Sequence, residues 1–309
     1  MSFKASAPGS LMLLGEYAVL HRKQALVCAI DKRITVTLTP RLDKKIYLES
    51  SLGSYQTTLD HLKRVPPFQF VLATLAALKK YLKVGCDIKI ESEFSATVGF
   101  ASSAAVTVAT LSALSAWLEM SFSDVELIML ARKIVHRVQG LGSGADVAAC
   151  VMGGIVLYRT KPMLAEKLPH AHPITVVYSG SKTPTVTAVK QVTENFSAYP
   201  KLFKQLCRTI HYCTTEGVAA ILAEDWRKLG ELMNIQQGLM DSLGVNTPIL
   251  GEIINTLRAQ KTVFGAKISG AGLGDCVVGL GEGFFATQAN GAQQMQAQIT
   301  NHGVSCEKI

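Results

Sequence analysis

The stretch Ala7–His21, APGSLMLLGEYAVLH, places one carboxylate, Glu16, directly after Gly15 in an otherwise apolar run. The apolar residues would suit a buried strand, and the glycines favour turns. A charged side chain in such a setting needs a partner or a chemical role, because an isolated buried charge is costly. We therefore interpret Ala7–Gly15 as a functional loop and ask what the carboxylate of Glu16 faces.

The composition of the chain is typical of a folded globular protein. Its 309 residues are 48% hydrophobic and 17% charged, which is enough to form one large core or two packed domains. No run of about 18 apolar residues could span a membrane, and the first residues lack the apolar segment of a secretory signal. We therefore expect no membrane association.

The net charge and the cysteine content limit the kinds of ligand and the cellular compartment that we expect. The net charge is +8, but the Lys and Arg residues are spread along the chain without a basic block, so we do not expect nucleic-acid binding. A small anionic substrate fits this charge at least as well. The seven cysteines are odd in number and form no C-x-x-C pair, which argues against disulfides and a zinc site and favours a cytoplasmic location.

Hydrophobic periodicity predicts an α+β protein with two domains, 1–180 and 181–309. In the first part strands alternate with helices, and a capping box at Ser123 and Glu126 marks the start of one helix. The remainder is expected to be mainly helical to residue 258. It then continues with the strands 263–269 and 276–280, a helix at 286–299 and a strand at 304–308.

A second functional loop is predicted at Ser95–Ala105, SATVGFASSAA, between a strand and a helix. Gly99 permits a tight turn or the close approach of a ligand. Ser102 and Ser103 fall at the helix N-terminus, where free N–H groups and the helix dipole favour an anion. Their hydroxyls could also bind Mg²⁺, although a simple helix cap explains the same residues.

Two further segments combine small residues with an acid. Asp146, within GSGADVAA, would be a helix cap, a paired charge or a general base. Ser269–Asp275, SGAGLGD, has three glycines between two predicted strands. This pattern indicates either backbone wrapped around a ligand or a flexible hairpin.

Together these segments resemble the GHMP kinases, the superfamily of galactose, homoserine, mevalonate and phosphomevalonate kinases. APGSLMLLGEYAV resembles the family's first motif, VGFASSAA its second and ISGAGLGDC its third, in that order and over nearly the whole chain. The resemblance implies an N-terminal ribosomal-protein-S5-like domain and a C-terminal ferredoxin-like domain. It also implies ATP and Mg²⁺ as cofactors, a small-molecule substrate and a fold compatible with a homodimer.

The resemblance assigns roles to individual residues. Asp146 matches the catalytic base, and Ser103 matches a ligand of Mg²⁺, with Glu16 as a second candidate ligand. The nucleotide would be bound by the second loop, which is the family's phosphate loop, and by the third, at Gly99, Ala101, Ser102, Ser103, Ala104, Gly270, Ala271 and Gly272. The acceptor would contact Ser10, Glu16, Tyr17, His21 and Ser143.

The chain departs from the family pattern at three positions. Ser10 stands where most members have Lys or Arg, so the cation that lowers the pKa of the acceptor alcohol must come from elsewhere. Val135 falls near the position of a metal-binding Glu. Ala101 replaces a glycine of the phosphate loop, and we expect its methyl group to displace that loop slightly.

The sequence does not decide which molecule accepts the phosphoryl group. The length and the AVLH and ALVCAI segments favour mevalonate, whereas GEYAV, GSGADVAA and GLGDC favour phosphomevalonate. Another small alcohol or sugar is a third interpretation. A non-catalytic ligand-binding protein of the same fold would explain the missing Lys and Glu. A decarboxylase of the diphosphomevalonate type is disfavoured because its Asn-Ile-Ala and Lys-Tyr-Trp-Gly-Lys runs are absent.

Overall fold

A computed structural model describes residues 1–309 as two β-sheets with helices packed against them. The eight α-helices are α1 (Gln69–Leu78), α2 (Ser102–Trp117), α3 (Asp124–Gln139), α4 (Ala145–Met152), α5 (Thr185–Asn195), α6 (Pro200–Leu222), α7 (Trp226–Ser242) and α8 (Pro248–Arg258). The twelve strands are β1 (Phe3–Leu14), β2 (Ala25–Pro40), β3 (Lys45–Ser50), β4 (Gly53–Thr58), β5 (Cys86–Ser92), β6 (Ile155–Arg159), β7 (Leu164–Leu168), β8 (Ile174–Tyr178), β9 (Val263–Ser269), β10 (Cys276–Gly281), β11 (Gln293–Met295) and β12 (Ser305–Lys308). The mixed α+β class is confirmed.

The larger sheet is organised around the long antiparallel pair β1 and β2. Its strand order is β12-β1-β2-β5-β3-β4, and β6 also pairs with β2 and carries β7 at its other edge. The helices α2 and α4 pack on β1 and β2, while α1 and α3 pack against α2. Because α2 is covered on most sides, nearly its whole length consists of apolar or small residues.

The smaller sheet is antiparallel, with the order β11-β8-β10-β9. The helices α7 and α8 pack on β9, and α8 also contacts β10. A second core of buried apolar side chains fills this layer, including Ile254, Leu257 and Ile268. The predicted helical run from 185 to 258 is confirmed, and the chain turns between helices near Pro200, Asp225 and Gly244.

Two secondary-structure predictions were wrong. Ala7–Gly15 is not a loop, because residues up to Leu14 belong to β1 and pair with β2, for example Leu11 opposite Cys28. The segment 286–299 is not a helix: it contains a turn with Gly291 at a φ of 88° and the short strand β11. Backbone pairing with β8 outweighs the weak helical propensity of this polar, glycine-containing segment.

The second half of the chain contributes to both sheets. The strand β8 lies before residue 180 yet belongs to the smaller sheet, whereas the final strand β12 returns to pair with β1 in the larger one. The division at 180/181 stays a prediction.

No helix of the protein is both long and apolar enough to cross a membrane. All seven cysteines are free thiols, and six of them are buried.

Candidate active site

A cleft of about 1030 Å³ opens between the two sheets. The three motifs that resemble those of the GHMP kinases contribute to its walls. Its floor is formed by the end of β1 and the start of α4. The loop before α2 and the loop between β9 and β10 form further parts of the wall and meet where Gly99 contacts Asp275. This volume lies at the upper end of small-ligand sites, about 300–1,000 Å³, so the cleft has room for more than one small ligand.

At the floor, Ser10 and Asp146 are brought together from distant parts of the chain. The Ser10 hydroxyl donates a hydrogen bond to Oδ1 of Asp146 at 3.0 Å. Burial raises the pKa of Asp146, the hydrogen bond from Ser10 opposes that shift, and the negative charge of Glu16 adds to it. No Lys, Arg or His forms an ion pair with this carboxylate, so it is available to accept a proton.

The loop before α4 is held in a fixed shape that orients Asp146. The carbonyl of Ser143 accepts hydrogen bonds from Nε of Arg132 at 2.8 Å and from the hydroxyl of Tyr158 at 2.7 Å. Gly144 has a φ of 91°, and a Cβ there would lie 2.5 Å from Cδ of Arg132. Glycine is therefore the residue that fits this position, two residues before the acid.

The second loop forms the expected helix start beside the cleft. Gly99, Ala101, Ser102, Ser103 and Ala104 all line the cavity, so the geometry agrees with an anion site at the N-terminus of α2. Ala101 adopts a left-handed φ of 54°, the conformation a glycine would take more easily. The cost for Ala is about 1–2 kcal/mol, and the loop keeps the turn despite the methyl group.

The third loop contributes two of its three predicted residues to the cleft. Gly270 and Ala271 line the cavity, and the carbonyl of Ala271 accepts a hydrogen bond from the hydroxyl of Tyr17 at 2.5 Å. Gly272 does not line it: a Cβ at this position would contact Val245 at 2.7 Å. This glycine therefore allows the loop to pack closely against the segment before α8.

The carboxylate of Glu16 is buried and is bonded to the protein on both oxygens. Lys267 on β9 donates to Oε1, and the amide of Gln236 on α7 donates to Oε2. We call Glu16, Gln236 and Lys267 the junction cluster, because it joins the end of β1 to the smaller sheet and its helix. Burial lowers the pKa of Lys267, and the charge of Glu16 opposes that shift. With both oxygens engaged, Glu16 is poorly placed to bind a metal ion, contrary to the expectation from the sequence.

The remaining acceptor candidates divide into two groups. Tyr17 and Ser143 line the cleft together with Ser10. His21 does not; its exposed ring packs edge-to-face on Phe203 with centroids 5.2 Å apart. Val135 also faces the cleft from α3, so the carboxylate that the family pattern would place near this position is absent.

Sequence reasoning did not assign three charged residues of the cleft to the site: Glu93, Lys182 and Asp275. Asp275 ends the third loop, and burial together with the charge of Asp146 raises its pKa to about 6, against an opposing effect of Lys182. Lys182 is the one Lys or Arg that lines the cavity, and its Nζ donates to the carbonyl of Ala96 at 2.5 Å. The available signals were the acid in GLGDC and a lysine at the expected domain boundary, which the sequence alone does not distinguish from other solvated charges.

These features together define an enzyme of the small-molecule kinase class. A glycine turn and a serine-rich helix start face a carboxylate that has no cationic partner, and a Lys stands at the rim. The chain belongs to the GHMP kinases: residues 69–154 match the GHMP kinases N terminal domain and residues 218–304 match the GHMP kinases C terminal domain. ATP is the phosphoryl donor that this family implies.

Comparison with individual proteins supports the same family. The chain is 32% identical to the mevalonate kinase of Pyrococcus horikoshii, in an alignment covering 99% of this chain and 98% of that one. A Lin0012 protein from Listeria innocua has the same fold, with a TM-score of 0.85 at 20% identity and full coverage of both chains. A crystal structure of mevalonate kinase matches with a TM-score of 0.77 at 22% identity, covering 97% of this chain and 99% of that one.

Proposed function

We propose that this protein transfers the γ-phosphoryl group of ATP to the hydroxyl group of mevalonate. The observation that carries the kinase assignment is the position of Asp146, at the floor of a cleft whose wall is an anion-binding helix start. The choice of mevalonate rests on the full-length similarity to mevalonate kinases. The fold alone does not select the acceptor, because one fold can support several activities.

In the proposed reaction the acceptor hydroxyl lies between Asp146 and the phosphate end of ATP. Asp146 takes the hydroxyl proton as the acceptor oxygen forms a bond to the γ-phosphorus and the bond to the β-phosphate oxygen breaks. Ser10 orients the carboxylate by its hydrogen bond. The N-terminus of α2 binds the phosphates, and Lys182 supplies positive charge from the rim.

The donor set of the cleft fits a magnesium ion. Mg²⁺ prefers oxygen ligands and is usually bound through one or two carboxylates together with substrate phosphates. The cleft offers the hydroxyl group of Ser103 and a buried carboxylate oxygen of Asp275 that has no hydrogen-bond partner. When bound, the ion would neutralise charge on the phosphates; Ser103 is the residue of the phosphate loop that would hold it.

Phosphomevalonate is the second candidate acceptor. The segments GEYAV and GLGDC favour it, but a doubly charged phosphate acceptor would need more positive charge than the single Lys182 that lines the cleft. That shortage of cations favours mevalonate. A non-catalytic ligand-binding protein is the alternative of another class, motivated by Ser10 and Val135 at positions where the family has charged side chains.

A coupled ADP-release assay on mevalonate, phosphomevalonate, galactose and homoserine tests the proposal. We expect turnover with mevalonate that exceeds turnover with the other three, and a product heavier by one phosphoryl group in mass spectrometry. Preferential turnover of phosphomevalonate would transfer the assignment to the second candidate. Nucleotide binding without ADP release on any of the four acceptors would favour the non-catalytic alternative.

Two expectations from the sequence stay predictions. A cytoplasmic location rests on the seven unpaired cysteines, of which Cys306 is exposed and would be open to oxidation in a secreted protein. A homodimer rests on the family resemblance, and light scattering after gel filtration measures it directly.

A further inference from the structure

The side chain of Asp275 has an unexplained place in the cleft. It is 8% exposed, and its Oδ1 is buried without a hydrogen-bond partner, although buried carboxylate oxygens are nearly always bonded. The backbone on both sides is fixed: the N–H of Asp275 donates to the carbonyl of Ser181 at 2.8 Å, and its carbonyl accepts from the N–H of Ser179 at 2.9 Å. This orphaned oxygen therefore lies in a rigid setting.

The carboxylate of Asp275 lies directly against the phosphate loop. A Cβ added to Gly99 would be 2.8 Å from Cβ of Asp275 and 3.1 Å from its Oδ1. Both residues line the cleft, as does Ser103 at the start of α2. The orphaned oxygen therefore lies beside the place where the nucleotide phosphates would bind.

The charges of the cleft require a further cation when phosphate is present. Four carboxylates line it, on Glu16, Glu93, Asp146 and Asp275, against the single cation Lys182. Glu16 is neutralised by Lys267, but Lys182 forms no ion pair with Asp275 and donates to a backbone carbonyl instead. A carboxylate beside bound phosphate is repelled unless a cation joins the two groups.

We propose that Asp275 is a ligand of the divalent cation that accompanies ATP, together with the hydroxyl of Ser103. This role compensates for Val135, which faces the cleft where the family pattern would place a metal-binding Glu. The inference rests on the proposed kinase function for the identity of the nucleotide. Asp275 lies outside the phosphate loop and outside α3, and the sequence motif assigns no metal ligand to its position.

The test compares Asp275→Asn with the wild-type protein in nucleotide binding, without an acceptor. Asn tolerates the left-handed φ of 62° at this position and keeps the size of the side chain. We expect the affinity for ADP with Mg²⁺ to fall at least about tenfold, as measured by calorimetry, whereas ADP with EDTA binds unchanged or more tightly. The affinity for Mn²⁺ in the ADP complex, followed by electron paramagnetic resonance, should fall by a similar factor.

The control is Glu93→Gln, which removes another carboxylate that lines the cleft. The carboxylate of Glu93 accepts a hydrogen bond from the N–H of Arg33 at 2.9 Å, and its removal should leave Mn²⁺ affinity unchanged. An Asp275→Asn protein that weakens ADP equally with and without Mg²⁺, or that keeps wild-type Mn²⁺ affinity, would overturn the inference. A wild-type protein that binds no adenine nucleotide would instead contradict the proposed function.

Discussion

Glu16 and Asp146 line the same cleft, but their surroundings give the two carboxylates opposite properties. Glu16, in the junction cluster, is bonded by Lys267 and Gln236 on both of its oxygens. Asp146 accepts one hydrogen bond, from Ser10, and has no cationic partner. A paired buried charge stabilises one arrangement of the chain, whereas an unpaired carboxylate at a cleft floor can exchange a proton with a ligand.

The largest effect is expected from Asp146→Asn, which removes the proton acceptor and keeps the shape of the side chain. We expect kcat to fall by about 10²- to 10⁴-fold while calorimetry shows nearly unchanged binding of ATP. The matched control is Asp124→Asn, an exposed acid in the first turn of α3. Wild-type turnover in the Asp146 variant would show that another group is the base.

The second-largest effect is expected at Glu16, the carboxylate that is paired. Glu16→Gln leaves the buried ammonium group of Lys267 without its counter-charge, and we expect the free energy of unfolding to fall by about 3–5 kcal/mol. Urea denaturation measures this change. The control is Glu307→Gln, whose ion pair with Lys4 is exposed at 3.8 Å and should contribute almost nothing. Equal stability of the Glu16 variant and the wild type would refute the structural role of the junction cluster.

The third prediction concerns Lys182, our candidate for the cation that is missing at Ser10. Lys182→Met removes the only Lys or Arg that lines the cleft and keeps most of the aliphatic length. We expect kcat/KM for ATP to fall by about 10- to 100-fold in steady-state kinetics. Lys190→Met is the control, because this lysine pairs with Glu194 on the exposed face of α5. Equal losses in both variants would point to a general effect of net charge.

The smallest effect is expected from Ser10→Ala, and it concerns the pH dependence of the rate. The hydrogen bond from Ser10 stabilises the ionised form of Asp146 and so lowers its pKa. Without it the pKa rises, and because the base must be ionised, the acid limb of kcat/KM should move to higher pH. Ser54→Ala, in exposed β4, is the control. If the acid limb does not move, the hydrogen bond from Ser10 does not lower the pKa of Asp146 in the working enzyme.

Much of the fold is predictable from local patterns. The capping box at Ser123 and Glu126, the helices from 185 to 258 and the strands around the third loop all follow from periodicity and turn residues. The prediction for 286–299 failed because its strand exists only through pairing with β8. The prediction of a loop at Ala7–Gly15 failed for another reason: it followed the glycines and the acid, whereas the apolar run forms β1, paired with β2.

The candidate site is predictable where its residues lie within a motif. Asp146 is indicated by the small residues around it, and Ser102 and Ser103 by the helix start. Lys182 and Asp275 were missed as parts of the site, because the cleft brings together the end of one sheet and a loop of the other. Residues far apart in the sequence give no local signal that they will meet in this way.

The sequence by itself determined the family, the order of the three motifs and the residue proposed to accept the proton, since each depends on residues near one another in the chain. Only the tertiary structure decided what Glu16 faces. Lys267 lies 251 positions further along and meets it across the two sheets. A buried carboxylate interacts with the counter-charge that lies nearest in a medium of low dielectric constant, and that proximity exists only after the two sheets have packed.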